Sequence, residues 1–261
     1  MNRITKRLKE RGNRKLLIPF FTVGFPDYRS SLDLVGAARD SGADFVELGI
    51  PFSDPLADGP EIQLSSMISL RSGTNIKHIL KAVEAIRNRS EIPVILMGYY
   101  NPILAYGEER FFADASSSGV DGLIVPDLPV DEADRLKEFA DSNSISTIFL
   151  VSPTSTDERI RLVERMSTDF VYAVTVTGVT GASRSFDTTT DRYLLKLKRT
   201  LHKPYVAGFG VSSAESARRL IRYSDGVVIG SALVRIITDA GSKREYLKQV
   251  SHFLCSIRKA I

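Results

Sequence analysis

The chain reads as an α/β protein, a (β/α)8 TIM barrel in one domain over residues 1–261, with an N-terminal helix and an extra helix after the second strand. Short apolar segments and amphipathic stretches of helical spacing alternate eight times along it, the pattern of strands that each feed a covering helix. The apolar segments are rich in Val, Ile, Phe and Leu and show little period-two alternation, as parallel strands buried on both faces should. Gly49, Gly98, Gly178, Gly210 and Gly230 lie at or just beyond strand ends, where loops turn tightly over a common mouth. Eight strands would also fit an open doubly wound sheet. The glycines favour the barrel.

Arg3, Lys6, Arg7, Lys9, Arg11, Arg14 and Lys15 crowd the start of the chain and read as the solvated face of a helix. No aromatic residues interleave with them for base stacking, so nucleic acid is not the expected partner. The first strand follows directly at 16–22, which argues against a transit peptide. A helix at 31–41 leads to the second strand, 45–49. The interval before the next strand is the longest, and it holds a Pro-rich acidic loop at 51–60 plus helical stretches at 61–71 and 76–87. Strands at 94–98, 122–126, 146–151, 170–175, 205–208 and 226–229 then alternate with helices at 108–117, 131–141, 156–166, 189–200 and 213–223. Asp131 is the expected cap of one of these helices, Ser212-Ser213 of another, and a further helix N-terminus falls at Ser231.

Composition excludes several classes. The 261 residues carry a net charge of +4 and ordinary apolar and charged fractions, as a globular chain with a full core does. Cys255 is the only cysteine, so no intrachain disulfide can form, and no apolar run is long enough for a bilayer span or a signal h-region. The expectation is a cytoplasmic protein, without membrane association. His78, His202 and His252 are scattered without ligand spacing, so no metal site is expected. No Gly-x-Ser-x-Gly, Walker A or Gly-x-Gly-x-x-Gly run occurs.

Chemistry concentrates at Glu47, which closes the apolar run Phe45-Val-Glu-Leu-Gly49. Strand alternation puts Phe45, Glu47 and Gly49 on one face, aimed into whatever that face encloses. Burying a polar group without its hydrogen bond costs about 2–7 kcal/mol, so such a carboxylate needs a partner or a reaction. Asp58 follows after a segment too rich in Pro and Gly to be regular, and the chain can fold back to bring the second carboxylate over the first. Two carboxylates in different environments can divide acid and base work. A buried cation for Glu47 and turn chemistry for Asp58 are the structural alternatives.

Thr177-Gly-Val-Thr-Gly181, Gly208-Phe-Gly210 and Gly230-Ser231 fall at successive late strand ends, where bared amides and a helix N-terminus can cradle a phosphate. Phe20, Met97, Ile124, Leu150, Tyr172 and Phe209 lie on or at the ends of different strands. Each alone fits core packing. Together with the carboxylates and the glycines they suggest a ligand with an apolar ring at one end and a phosphate at the other.

The stretch Val46-Glu-Leu-Gly-Ile-Pro-Phe-Ser-Asp-Pro-Leu-Ala-Asp-Gly-Pro-Glu-Ile-Gln63 closely resembles the signature of the tryptophan synthase α chain family. Pro19-Phe20, Tyr99-Tyr-Asn-Pro102, Pro126-Asp-Leu-Pro129, Gly178-Val-Thr-Gly181, Gly208-Phe-Gly210 and Ile229-Gly-Ser-Ala232 extend the resemblance from first strand to last. It implies a lyase of tryptophan biosynthesis that splits indole-3-glycerol phosphate into indole and glyceraldehyde 3-phosphate by retro-aldol cleavage. Glu47 then matches the acid–base glutamate and Asp58 the indole-binding aspartate. Gly181, Gly210, Gly230 and Ser231 match the phosphate site, Phe20, Tyr172 and Phe209 the aromatic wall, and Thr180 the threonine of a mobile loop. Val176-Thr177 stands where some members carry arginine or serine.

The same resemblance implies no cofactor in this chain and a pyridoxal-phosphate-dependent β chain as partner, in a heterotetramer of two α and two β chains. The loops at 51–60 and 101–106 would face that partner. Another phosphosugar isomerase or epimerase barrel, or a barrel surviving as an allosteric subunit, are the functional alternatives.

Overall fold

A computed structural model describes residues 2–175, 188–208 and 210–261. Its strands are β1 (Leu16–Thr22), β2 (Val46–Gly49), β3 (Val94–Met97), β4 (Gly122–Ile124), β5 (Ser146–Thr147), β6 (Leu150–Val151), β7 (Val171–Val174), β8 (Tyr205–Gly208) and β9 (Gly226–Ile229). All pairings are parallel, in the order β5-β4-β3-β2-β1-β9-β8-β7-β6. The segment expected as one strand at 146–151 is split: its first half pairs with β4 and its second with β7. Across the break, the Ile148 N–H donates to the Leu123 carbonyl and the Tyr172 N–H to that of Phe149, both at 3.1 Å. One short segment therefore joins the two ends of the sheet and closes the barrel.

The helices are α1 (Arg3–Glu10), α2 (Tyr28–Asp40), α3 (Pro60–Arg71), α4 (Ile76–Arg87), α5 (Tyr100–Tyr106), α6 (Glu108–Ser118), α7 (Asp134–Ser142), α8 (Asp157–Met166), α9 (Thr188–Thr200), α10 (Ala214–Leu220), α11 (Ser231–Asp239) and α12 (Lys243–Ala260). Side-chain caps start many of them: Asn2, Asp27, Asn75, Thr156, Ser213 and Ser242 each accept a backbone N–H of the first turn. Asp131 does not cap α7. It lies in a 3-10 turn, Val130–Glu132, and pairs with Arg159, while α7 begins behind Ala133. Residues 101–106, expected as a loop, are helical in α5, because Pro102 sits in the first turn where its missing N–H breaks no bond.

Two apolar layers result. Leu16, Ile18, Phe45, Ile95, Ile124, Ile148, Phe170, Val206 and Val228 fill the barrel interior, with Phe45 stacked on Phe170 at 5.9 Å. Leu17, Phe21, Val46, Leu48, Leu96 and Ile229 face the helices outside, so the strands are apolar on both faces, as anticipated.

The basic N-terminal run is not simply solvated. Ile4 of α1 is fully buried in the barrel interior, and a Cβ on Gly122 would lie 2.8 Å from its Cδ1. Around this plug Arg3 pairs with Asp121 at 3.2 Å, Arg11 with Asp225 at 3.1 Å and Arg14 with Asp44 at 3.3 Å. The charges answer acids at the starts of strands, a tertiary match that spacing alone does not reveal.

Asp121, just before β4, is buried and accepts from the Val94 N–H at 2.8 Å and from Arg87 Nη2 at 2.5 Å. Arg87→Met removes that cation and leaves the carboxylate under-compensated. We expect a loss of about 3–5 kcal/mol, read as a lowered urea midpoint. Arg89→Met, at an exposed position of the same segment, should stay within about 0.5 kcal/mol.

Candidate active site

Glu47 sits in the middle of β2, in register with Phe20 of β1 and Ile95 of β3. It is 1% exposed, and its Oε1 finds no hydrogen-bond donor among the described residues. Burial, and secondarily the charge of Asp58, push its carboxyl up to about 8. Phe45 on the same face packs into the barrel interior, so the alternation expected for this strand holds. Gly49 must lack a side chain: a Cβ there would lie 2.5 Å from Phe20 Cζ.

Asp58 lies in the tight turn between β2 and α3, where its N–H donates to the Pro55 carbonyl at 3.0 Å and its carbonyl accepts from Gln63 Nε2 at 2.9 Å. Its carboxylate accepts from the Tyr99 hydroxyl at 3.2 Å. Burial pushes the carboxyl up to about 6, with the Tyr99 hydrogen bond opposing. Behind this loop α3 is fastened to β1 by Thr22 and Ser65, whose hydroxyls are 2.6 Å apart, and by Ser69, which donates to the Val23 carbonyl. The fastening places Ile62 of α3 against the mouth, where Gly230 and Phe20 meet it.

Tyr172 of β7 is buried, and its hydroxyl is held far above the usual phenol range by burial and then by the charges of Glu47 and Asp58. All three groups therefore share one electrostatic environment. Its ring lies over Gly208, where a Cβ would fall 2.1 Å from the phenol oxygen. Phe20 is buried against Gly230, whose Cβ would stand 3.4 Å from the ring. Gly230 caps α11 without a side chain; the Leu233 N–H turns back to the Gly230 carbonyl at 2.8 Å, whereas Ser231 and Ala232 begin the helix with no earlier helical carbonyl to bond. Gly210 has a φ of +81°, a left-handed conformation that favours glycine. Thr180, Gly181 and Phe209 lie outside the described residues.

A cleft of about 440 Å³ opens beside Asp58 between the ends of β3, β4, β6 and β7. Met97 and Leu150 line it, while Ile124 packs in the barrel interior; Glu47, Phe20, Tyr172, Gly230 and Ser231 are not among its lining residues. Two contributors escaped sequence reasoning. Tyr99 and Asp127 both stand in recognisable motifs, yet which groups they touch depends on how the loops after β2, β3 and β4 come together. Among the described residues no group of three or more His, Cys, Asp or Glu could hold a metal ion.

The family model described as "Tryptophan synthase alpha chain" matches residues 6–261. The chain is similar to the tryptophan synthase alpha chains of Pelobacter propionicus, 46% identical over all of this chain and 98% of that one, and Geobacter sulfurreducens, 44% identical over all of this chain and 99% of that one. Among solved structures it resembles tryptophan synthase subunit alpha from Legionella pneumophila, with a TM-score of 0.92 at 34% identity over all of this chain and 98% of that one. It also resembles a chain of the tryptophan synthase α2β2 complex of Pyrococcus furiosus, with a TM-score of 0.86 at 40% identity over 94% of this chain and 98% of that one.

The contact between Tyr172 and Gly208 yields a direct test. A methyl at 208 overlaps the phenol, so Gly208→Ala should cost about 1–3 kcal/mol in urea unfolding. In a Tyr172→Ala background the same substitution should cost markedly less, because the clash has gone.

Proposed function

The chain belongs to the tryptophan synthase alpha chain family, which cleaves indole-3-glycerol phosphate to indole, and from that premise we propose how its own residues carry out the cleavage. The observation that carries the reading is a pair of carboxyls without a cation among the described residues, set apart at about 8 for Glu47 and about 6 for Asp58. Near neutral pH the first holds its proton and the second does not. Glu47 therefore acts first as an acid, protonating indole C3. Asp58 accepts the ring N–H and stabilises the positive ring that results.

That ring is the electron sink. The carbon–carbon bond to the glycerol chain breaks, its electron pair returns to the ring, and the hydroxyl on the departing carbon becomes a carbonyl. Glu47, now a carboxylate, takes the hydroxyl proton and is restored. The products are indole and glyceraldehyde 3-phosphate, with all protons accounted for. Phe20 and Tyr172 form the wall against the indole. The amides at Gly210 and Gly230, with Ser231 and the N-terminus of α11, receive the phosphate. Thr180, Gly181 and Phe209 complete the site in this reading, on the strength of the family motif.

We infer a β chain as partner, in an arrangement of two α and two β chains, with pyridoxal phosphate expected in the β chain. Leu56, 86% exposed after β2, and Leu104, 52% exposed on α5, support an interface there. The Pyrococcus furiosus complex is described in terms of mutual activation. No helix among the described residues is long and apolar enough to cross a membrane, and a cytoplasmic setting belongs to the same reading.

Three measurements test this function. The free-enzyme kcat/KM should follow a bell, rising as Asp58 ionises near pH 6 and falling as Glu47 loses its proton near pH 8. Glu47→Gln should lower cleavage by about 10²–10⁴ while the fold persists. In Asp58→Asn the Glu47 carboxyl, followed by carbon NMR, should titrate at lower pH, since a charge that raises it has gone; an unmoved or higher midpoint argues against the pair. Separately, a cognate β chain should bind and raise cleavage several-fold. Leu56→Asp with Leu104→Asp should weaken that binding in sedimentation, and a β chain that neither binds nor activates would count against the interface.

A further inference from the structure

Asp58 rides on a loop, yet one side chain from a different strand end grips that loop at three points. Tyr99 follows β3 and is 6% exposed. Its ring stacks on Phe52 at 5.1 Å, its hydroxyl accepts the Ala57 N–H at 2.9 Å, and the same hydroxyl donates to Asp58 Oδ2 at 3.2 Å. An amide donor on the phenol oxygen leaves the phenol proton free to point at the carboxylate, so the three contacts agree in direction.

The mount is itself braced. Gly98 lies against Ile50, where a Cβ would be 2.7 Å from the Ile50 Cβ. Tyr100 donates its N–H to the Asp127 carboxylate at 2.9 and 3.2 Å, anchoring the start of α5 to the loop after β4. Its hydroxyl donates to Glu108 at 2.6 Å, and Glu108 also takes Arg135 at 3.0 Å. Tyr99 therefore projects from a helix start tied to α6, α7 and the β4 loop.

We propose that Tyr99 is a positioning residue for Asp58, its hydroxyl occupying Oδ2 so that Oδ1 is the oxygen presented to the ring N–H of the substrate. The proposal rests on the reading of Asp58 given above. Tyr99 touches no reacting atom and acts only through the carboxylate. Its phenol is held above the usual range by burial and by Asp58, so it remains a donor throughout the working pH range. Donation to the charged form also restrains the rise of the Asp58 carboxyl, so loss of the hydroxyl should move that carboxyl upward.

The experiment is a cycle of Tyr99→Phe, Asp58→Asn and the double variant, assayed for indole release with and without a β chain and checked by circular dichroism and urea unfolding. Tyr99→Phe keeps the ring on Phe52 and removes only the hydroxyl. It should lower kcat/KM at pH 7 about ten- to a hundredfold, the scale of a hydrogen bond to a charged group, and shift the acidic limb of the profile upward. In the Asp58→Asn background it should change the residual rate little. A folded Tyr99→Phe with an unmoved acidic limb, or one that loses the same factor in both backgrounds, overturns the positioning role. Wild-type cleavage by Asp58→Asn would instead overturn the reading of Asp58 beneath it.

Discussion

A carboxyl sealed in the barrel mouth, without a counter-charge among the described residues, governs the architecture. At the opposite end of the barrel, buried acids are answered by arginines: Asp121 by Arg87 and Arg3, Asp44 by Arg258 and Arg14. Those pairs allow ionised groups to be buried. At the mouth, burial and the nearby Asp58 both act on Glu47 in the same direction, and no ion pair relieves it among the described residues. A guanidinium placed there would stabilise the carboxylate and strip away the proton that the proposed cleavage borrows and returns. The enclosing shell follows from the same need, since Phe45 and Phe170 close the barrel below Glu47 while Phe20 and Tyr172 flank it.

Much of this was legible because local rules and tertiary demands coincide. The ends of β1, β8 and β9 fall where the apolar runs end, and Glu47 faces inward because alternation within a four-residue strand leaves little choice. The errors fall where a neighbour decides. Residues 146–151 read as one strand, but a segment that must pair with β4 on one side and β7 on the other does so with different halves. Pro102 resembles a helix breaker until it is placed in a first turn, and Asp131 resembles a cap until Arg159 claims it. The basic residues in and just after α1 looked solvent-bound because their acidic partners are scattered from Asp44 to Asp225. Tyr99 was visible as a motif residue, but its role depends on a loop some forty residues away in sequence.

The loops over the mouth divide two tasks that usually conflict. The β2 loop must present Leu56 outward to almost full exposure while its neighbour Asp58 is held toward the barrel. Fixing one loop at both ends by its own backbone would make it stiff but insensitive. Here the backbone supplies only short turn bonds, and a tertiary hold comes from Tyr99 at the N-cap of α5, the helix that bears the exposed Leu104. A surface that engages both leucines would therefore grasp two elements that meet at the Tyr99 hydroxyl. The energies are suited to adjustment: a single hydrogen bond is worth about 0.5–1.5 kcal/mol net, and somewhat more when one partner is charged.

The order of strands has a consequence for how the chain is made. β1 lies between β2 and β9, so one of its edges waits for a strand that leaves the ribosome roughly two hundred residues later. At about 5–20 residues per second that interval lasts on the order of ten to forty seconds. Throughout it, Leu16–Thr22 offers an uncovered apolar edge of the kind that pairs with foreign strands. The α1 segment just before it carries Arg3, Lys6, Arg7 and Lys9 against Glu10, a net positive charge, and like charge disfavours edge-to-edge pairing of identical chains. The residues that later lock the base of the finished barrel thus carry, before any barrel exists, charge of the sign that discourages such pairing.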